Sequence, residues 1–213
     1  DNLFDSGKLN RRDFMQGAAA FGITATAAST MWSKKAAASP KKGGHFRMGM
    51  GSGSTSDSMD PGQLLDTYQT VFNFALRNTL VDVDHKNNAI PALAESWEAS
   101  PDAATWTFKL RQGVEFHNGK TLDSEDVISS MNYHRSEESK SAAKSLLDAI
   151  VEIKAMGKDA VVFTLSGGNA DFPYVVSDYH LSIVPAGTTN FDDGMGTGAY
   201  IFESFEPGVR SVA

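Results

Sequence analysis

The heptapeptide TWTFKLR, residues 105–111, alternates strictly: Trp106, Phe108 and Leu110 fall on one side, Thr105, Thr107, Lys109 and Arg111 on the other. A period of two over seven residues belongs to a strand with one buried and one wet face. That habit fits antiparallel sheets, because parallel strands are covered on both sides and read as continuous apolar runs. Upstream, LAESWEAS precedes the turn residues PDAA, so the two segments are predicted to form a hairpin. Downstream, IVEIKAM and AVVFTLS alternate on either side of Gly157-Lys158-Asp159, which predicts a second hairpin. A mostly antiparallel block therefore occupies the middle of the chain.

Helical spacing flanks this block. From Leu65 onward, Tyr68, Val71, Phe72, Ala75 and Leu76 recur in steps of three and four. Asp123, with Asp126 three residues later, precedes Val127, Ile128 and Met131. An acceptor at the cap and an acid in the first turn both favour a helix start there. Short helical material is predicted near 170–176 and a strand at LSIVP, residues 181–185. HFRMGM, residues 45–50, also alternates and predicts a strand, followed by a loop in GSGSTSDSMDPG. No repeat of fixed period is present. The mixture predicts an α/β domain of the mixed α+β kind, with an antiparallel segment inserted.

Composition limits the function. The chain has 213 residues, 41% hydrophobic and 21% charged, with no run of about 18 apolar residues, so a lasting membrane span is not expected. It has no cysteine, which excludes disulfides, thiol catalysis and a lipid-modified N-terminal cysteine within these residues. A net charge of −7 weighs against a nucleic-acid partner.

The first forty residues differ from the rest. NRRDFMQGAAAFGITATAAST opens with Arg11 and Arg12, with Phe14 just after. A soft Ala/Gly/Thr stretch follows, then Lys34, Lys35 and Ala36-Ala37-Ala38. Basic, apolar, then small residues is the order of a secretory signal, with cleavage expected after Ala38. The arginine pair resembles a twin-arginine signal, read by the translocase that exports folded proteins. A basic amphipathic helix is the alternative, disfavoured by Gly17, Gly22 and the Thr/Ser content. Removing the five basic and three acidic residues of 1–38 leaves a net charge of −9. The start at Asp1 and the stop at PGVRSVA both read as interior to a longer protein.

Several motifs suggest chemistry and fail on spacing. Gly119-Lys120-Thr121 could close a phosphate loop, but that loop needs glycine at position 114, which is Val114, and Phe116 sits where backbone amides would approach phosphate. Ser141 and Lys144 form Ser-x-x-Lys, and Ser177-Asp178 resembles part of a second serine-acylase element. The lysine-threonine element, however, is out of order. His45, His85, His117, His134 and His180 lack metal-ligand spacing and read as surface or loop residues. Asp82 and Asp84 stand at calcium-loop spacing, but Lys86 takes the third ligand place. No catalytic residue, metal site or cofactor is assigned.

The segment ALAESWEASPDAATWTFKLRQGVEFHNGKTLDSEDV resembles the signature of the family-5 solute-binding proteins of ABC transporters. Its matching residues include Leu93, Ala94, Ser96, Trp97, Asp102, Phe108, Leu110, Arg111, Gly113, Val114, Phe116, His117, Asn118, Gly119, Leu122, Asp126 and Val127. Ala103 departs from it, standing where glycine is usual. SMDPG and GTGAYIFESFEPG are similar to two flanking family motifs, with Ala199 replacing a proline. The resemblance implies part of a two-lobed, class-C periplasmic-binding-protein clamshell: a main lobe with an inserted subdomain, the second lobe lying outside these residues. The implied divisions are a signal at 1–38, the start of the main lobe at 39–80, the inserted subdomain at 81–185 and a return to the main lobe at 186–213.

The function so implied is non-enzymatic: periplasmic capture of peptides or a similar small polar solute by hinge closure, then delivery to an ABC permease. Nickel chelate, sugar or opine cargo is the alternative within the fold, and an exported serine hydrolase the alternative of another class. The resemblance makes residues 113–122 a structural turn, with Phe116 inward and Lys120 in solvent. It places the loop after the first strand beside the cargo cleft, making Ser52, Gly53, Ser54, Thr55 and Ser56 the candidate ligand contacts. Arg11, Arg12 and Phe14 are the candidate export-recognition residues.

Overall fold

The structure, a computed structural model, describes residues 11–21, 23–24 and 43–213. The chain divides into two compact units, Asp1–Met48 and Gly49–Ala213. In the first, helix α1 spans Arg11–Ala20. A single interior glycine costs about 1 kcal/mol relative to alanine, and the neighbouring Arg, Met, Gln and Ala residues outweigh it. The sequence-based objection to a helix here therefore does not hold. The expected cleavage site at 36–38 lies outside the described residues. So does most of the expected 39–45 linker.

The second unit is built around a four-stranded antiparallel sheet whose strands lie in the order Ala94–Ala99, Thr105–Leu110, Ala160–Leu165, Ile150–Ala155. In chain order, helix α2 (Thr67–Leu76) is followed by β1 (Val81–Val83) and β2 (Ala89–Pro91), then β3 (Ala94–Ala99) and β4 (Thr105–Leu110). Helix α3 (Ser124–Arg135), β5 (Ile150–Ala155), β6 (Ala160–Leu165), the short α4 (Phe172–Val175), β7 (Ser204–Glu206) and β8 (Arg210–Val212) complete it. Both predicted hairpins form, with Trp97 opposite Phe108 in the first and Ile153 opposite Phe163 in the second, and β4 pairs β6 to join them. β1–β2 and β7–β8 are further hairpins that periodicity did not reveal.

One face of the sheet makes the core. Phe108, Phe163 and Phe172 meet edge-on, with centroids 5.3 to 6.1 Å apart, the T-shaped arrangement aromatic quadrupoles favour. Val127 and Met131 of α3 are fully buried in the same cluster. Helix α3 starts as predicted: Asp123 accepts from the Glu125 and Asp126 amides, and Asp126 returns a bond to the Asp123 amide.

The 113–122 turn is structural, as expected, with Phe116 buried. Lys120, however, is not simply in solvent. Its Nζ lies 2.6 and 2.7 Å from the two oxygens of Asp126, a carboxylate with no exposure. Asp126 also accepts from the Ala186 amide at 2.7 Å. A buried carboxylate requires such partners, so the lysine neutralises the residue that closes the capping box of α3.

Two predicted strands do not form. Phe46 and Met48 are exposed, and residues 45–50 pair with no strand among the described residues. Residues 181–184 are buried, but their polar backbone is satisfied outside a ladder: Ile183 donates to the Asn78 carbonyl, and Val184 exchanges two bonds with the Ser130 hydroxyl. Alternation or apolarity alone does not make a strand when no neighbouring strand stands beside it.

Candidate functional site

The candidate ligand loop connects Gly51 to the Asp60-capped turn Pro61–Gln63, and Ser52 through Ser56 are all exposed. Only some of the hydroxyls and amides of this loop are free. The Ser54 amide donates to the Asp57 carboxylate at 2.8 Å, the Ser56 amide donates to the Ser54 hydroxyl, and the Ser54 and Ser56 hydroxyls share a bond of 2.9 Å. The Asp57 amide donates back to the Ser54 carbonyl. These bonds close a compact turn. Among the described residues, the Ser52, Gly53 and Thr55 amides and the Ser52 and Thr55 hydroxyls have no protein partner and remain free to meet a ligand. Ser52 also holds φ 71°, a left-handed conformation that costs a non-glycine residue about 1 kcal/mol or more.

Helix α2 holds the loop from below. Gln69 donates to the Ser58 carbonyl at 3.1 Å, while its own oxygen accepts from the Leu65 amide. At the C-terminal end of the helix, Arg77 is almost wholly buried. It donates to the carbonyls of Met59, Phe191 and Met195 and to the Asn73 side chain, at 2.6 to 3.1 Å. Burial pulls its guanidinium down to about 10, with Asp193, Asp60 and Asp192 opposing the shift, so it remains charged. One cation thereby ties the end of the loop to the 191–195 segment. Sequence reasoning passed over Arg77, Gln69 and Asp57. An arginine next to the last apolar position of the helical pattern, Leu76, was the available signal.

The GTGAY motif acts on the same helix end. Gly198 donates to the Leu76 carbonyl at 2.8 Å and Tyr200 to the Ala75 carbonyl at 3.1 Å, satisfying carbonyls that a helix leaves open. A β-carbon at Gly196 would sit 2.1 Å from the Leu76 oxygen, so only glycine fits. His117 joins this crossover to the 113–122 turn by contacting the Gly198 carbonyl at 3.0 Å.

The serine-lysine pair is not an active centre. Lys144 Nζ donates to the Glu137 carbonyl at 2.7 Å. Ser141 Oγ instead contacts His134 Nδ1 at 2.7 Å and accepts from the Ala143 amide. Burial pulls His134 down to about 4, too weak a base to accept a serine proton efficiently near neutrality. His134 and His180 are buried rather than on the surface: one anchors the 136–143 loop to α3, and the other spans Asp178 and the Leu64 carbonyl. Among the described residues no cluster of three metal-ligand side chains occurs, and no helix is long and apolar enough to cross a membrane. Of the candidate export residues, Arg12 is exposed and Phe14 half-buried on α1; the Arg11 side chain lies outside what is described.

The family described as bacterial extracellular solute-binding proteins, family 5, matches residues 88–213. The chain is 34% identical over 96 residues to the nickel-binding periplasmic protein of Escherichia coli K12, covering 45% of this chain and 18% of that protein. Among solved structures, it is similar to the binding protein AgaA of A. tumefaciens R10 in complex with agropinic acid (TM-score 0.67, 28% identity, 72% of this chain and 32% of that one). It is also similar to DppA of Helicobacter pylori in complex with the peptide STSA (TM-score 0.61, 25% identity, 72% and 36%). The chain thus spans about a third or less of the length of these relatives.

Proposed function

Because the chain belongs to the bacterial extracellular solute-binding proteins of family 5, we propose that it serves as the substrate-binding component of an ABC importer, capturing short peptides or a similar small polar solute. Closure of a hinge around cargo requires contacts that differ between open and closed states. The 52–56 loop supplies candidates for them. The observation that carries the reading is the pairing of the family match with an exposed loop whose Ser52, Gly53 and Thr55 donors are unspent. Asp57 places a negative charge in that loop, which favours the neutral backbone or ammonium end of a peptide over its carboxylate. On this reading the protein carries cargo without altering it, and the permease is its partner.

Arg11, Arg12 and Phe14 serve recognition by the twin-arginine translocase. Cleavage after Ala38 then releases the protein to the periplasm. The relatives' cargoes support a second reading on the same fold, with nickel chelate or opine in place of peptide. Calorimetric titration of the full-length protein with trialanine, nickel–histidine and agropinic acid tests both. Saturable binding of trialanine supports the first reading, binding only of the chelate or opine selects the second, and no binding of any of the three counts against the site.

A further inference from the structure

We infer that Gly208, in the turn between β7 and β8, is a positioning residue for the 52–56 loop; this rests on the reading of that loop as a cargo contact. Gly208 holds φ 70°, and a β-carbon there would lie 2.8 Å from the Ser54 carbonyl carbon and 2.9 Å from the Thr55 nitrogen. These are backbone atoms that cannot swing aside as a side-chain end would. From the other side, a β-carbon on Gly53 would meet the Gly208 Cα at 3.4 Å, an ordinary contact. The turn therefore fits against the loop with room for no added atom at 208, and the Thr55 amide lies beside that space.

The hairpin is itself held in place. Phe205 of β7 stacks on Phe72 of α2, with centroids 6.4 Å apart and planes 14° from parallel. Glu203 donates to the Val212 carbonyl at 2.9 Å, continuing the ladder. The loop is thus braced twice from α2: through Gln69 at Ser58, and through Phe72, Phe205 and Gly208 at Ser54–Thr55. Gly208 is itself exposed, so filling its position disturbs the loop rather than the core.

Gly157 supplies a matched control, with φ 72° and no atom within 4 Å of an added β-carbon. Gly157→Ala carries the same backbone strain as Gly208→Ala without the contact. The test measures amide hydrogen exchange at Ser54, Ser56 and Asp57 in the full chain, together with calorimetric binding of trialanine. Gly208→Ala is expected to speed exchange at these amides by about ten-fold or more, and Gly157→Ala to leave them unchanged. Phe205→Leu, which loosens the seat of the hairpin without adding an atom beside the loop, is expected to move the same amides in the same direction, and it decides the question if Gly208→Ala does not fold. Equal exchange at the three amides in Gly208→Ala and Gly157→Ala, or no change in Phe205→Leu, overturns the inference. Faster exchange with unchanged trialanine affinity upholds the positioning role and counts against the cargo reading of the loop, so the two can fail separately.

Discussion

The antiparallel block from β3 to β6, with α3 and α4, and the flank formed by residues 49–80 and 186–213 solve different problems. In the block, apolar faces meet one another: Phe108, Phe163, Val127, Met131 and Leu181 are all wholly buried. In the flank, α2 buries its polar edge instead. Gln69, Asn73 and Arg77 are covered and hydrogen-bonded, whereas Tyr68, Val71, Phe72 and Ala75 are only half-buried. Leu65, Phe74, Tyr200, Ile201 and Val209 stand exposed around it. Packing dominates the block; in the flank, buried Leu64, Leu76 and Leu80 are joined by directed hydrogen bonds to backbone carbonyls. Packing is dense and intolerant of change, while a hydrogen-bonded frame can fix a loop and still leave its surface open to a partner. The candidate cargo loop belongs to the second kind of region.

The largest test of that contrast sets one phenylalanine against another. Phe108→Ala is expected to lower stability by about 3–5 kcal/mol, through lost transfer energy and the cavity left behind. Phe74→Ala, at a position 48% exposed, is expected to change it by about 0.5 kcal/mol or less. Urea unfolding of both variants measures the difference, and comparable losses would erase the distinction.

A smaller effect probes the seam between the regions, where His134 of α3 lies near Asp60 of the flank. Its folded value of about 4 lies below the ordinary 6.5 because burial penalises the charged ring. Above about pH 6.5 the ring is neutral in both folded and unfolded chains and its contribution to stability is complete. As pH falls toward 4 the unfolded chain takes up the proton first, so stability drops, by about 3 kcal/mol in all from this group. Urea midpoints at pH 7 and 4.5 are expected to differ less in His134→Gln than in the parent. An identical acid loss in both would contradict this.

The smallest effect is at Ala103, which holds φ 53° in the β3–β4 turn. Ala103→Gly is expected to add about 1 kcal/mol by relieving left-handed strain, seen as a raised thermal midpoint.

Ala103 also shows what the sequence makes legible. Its place in a turn follows from PDAA lying between two alternating segments, and the start of α3 follows from Asp123 and Asp126, because these signals are local. Lys120, Arg77 and His134 were not legible in the same way. Their partners, or those partners' further contacts, come from Ala186, from Phe191 and Met195, and from Asp60, segments brought near only by the fold. HFRMGM misled because alternation describes a strand's faces but not the neighbour it needs. In the candidate site, composition marked residues 52–56, yet which donors remain free depended on Asp57 capturing the Ser54 amide.

The central claim is that the 52–56 loop takes hold of cargo, and the most direct measurement is trialanine titration of the full-length protein before and after replacing Ser52, Ser54, Thr55 and Ser56 with alanine together. The account predicts that affinity falls by about ten-fold or more, equivalent to about 1.4 kcal/mol, with the thermal midpoint little changed. Undiminished affinity in the quadruple variant would contradict it.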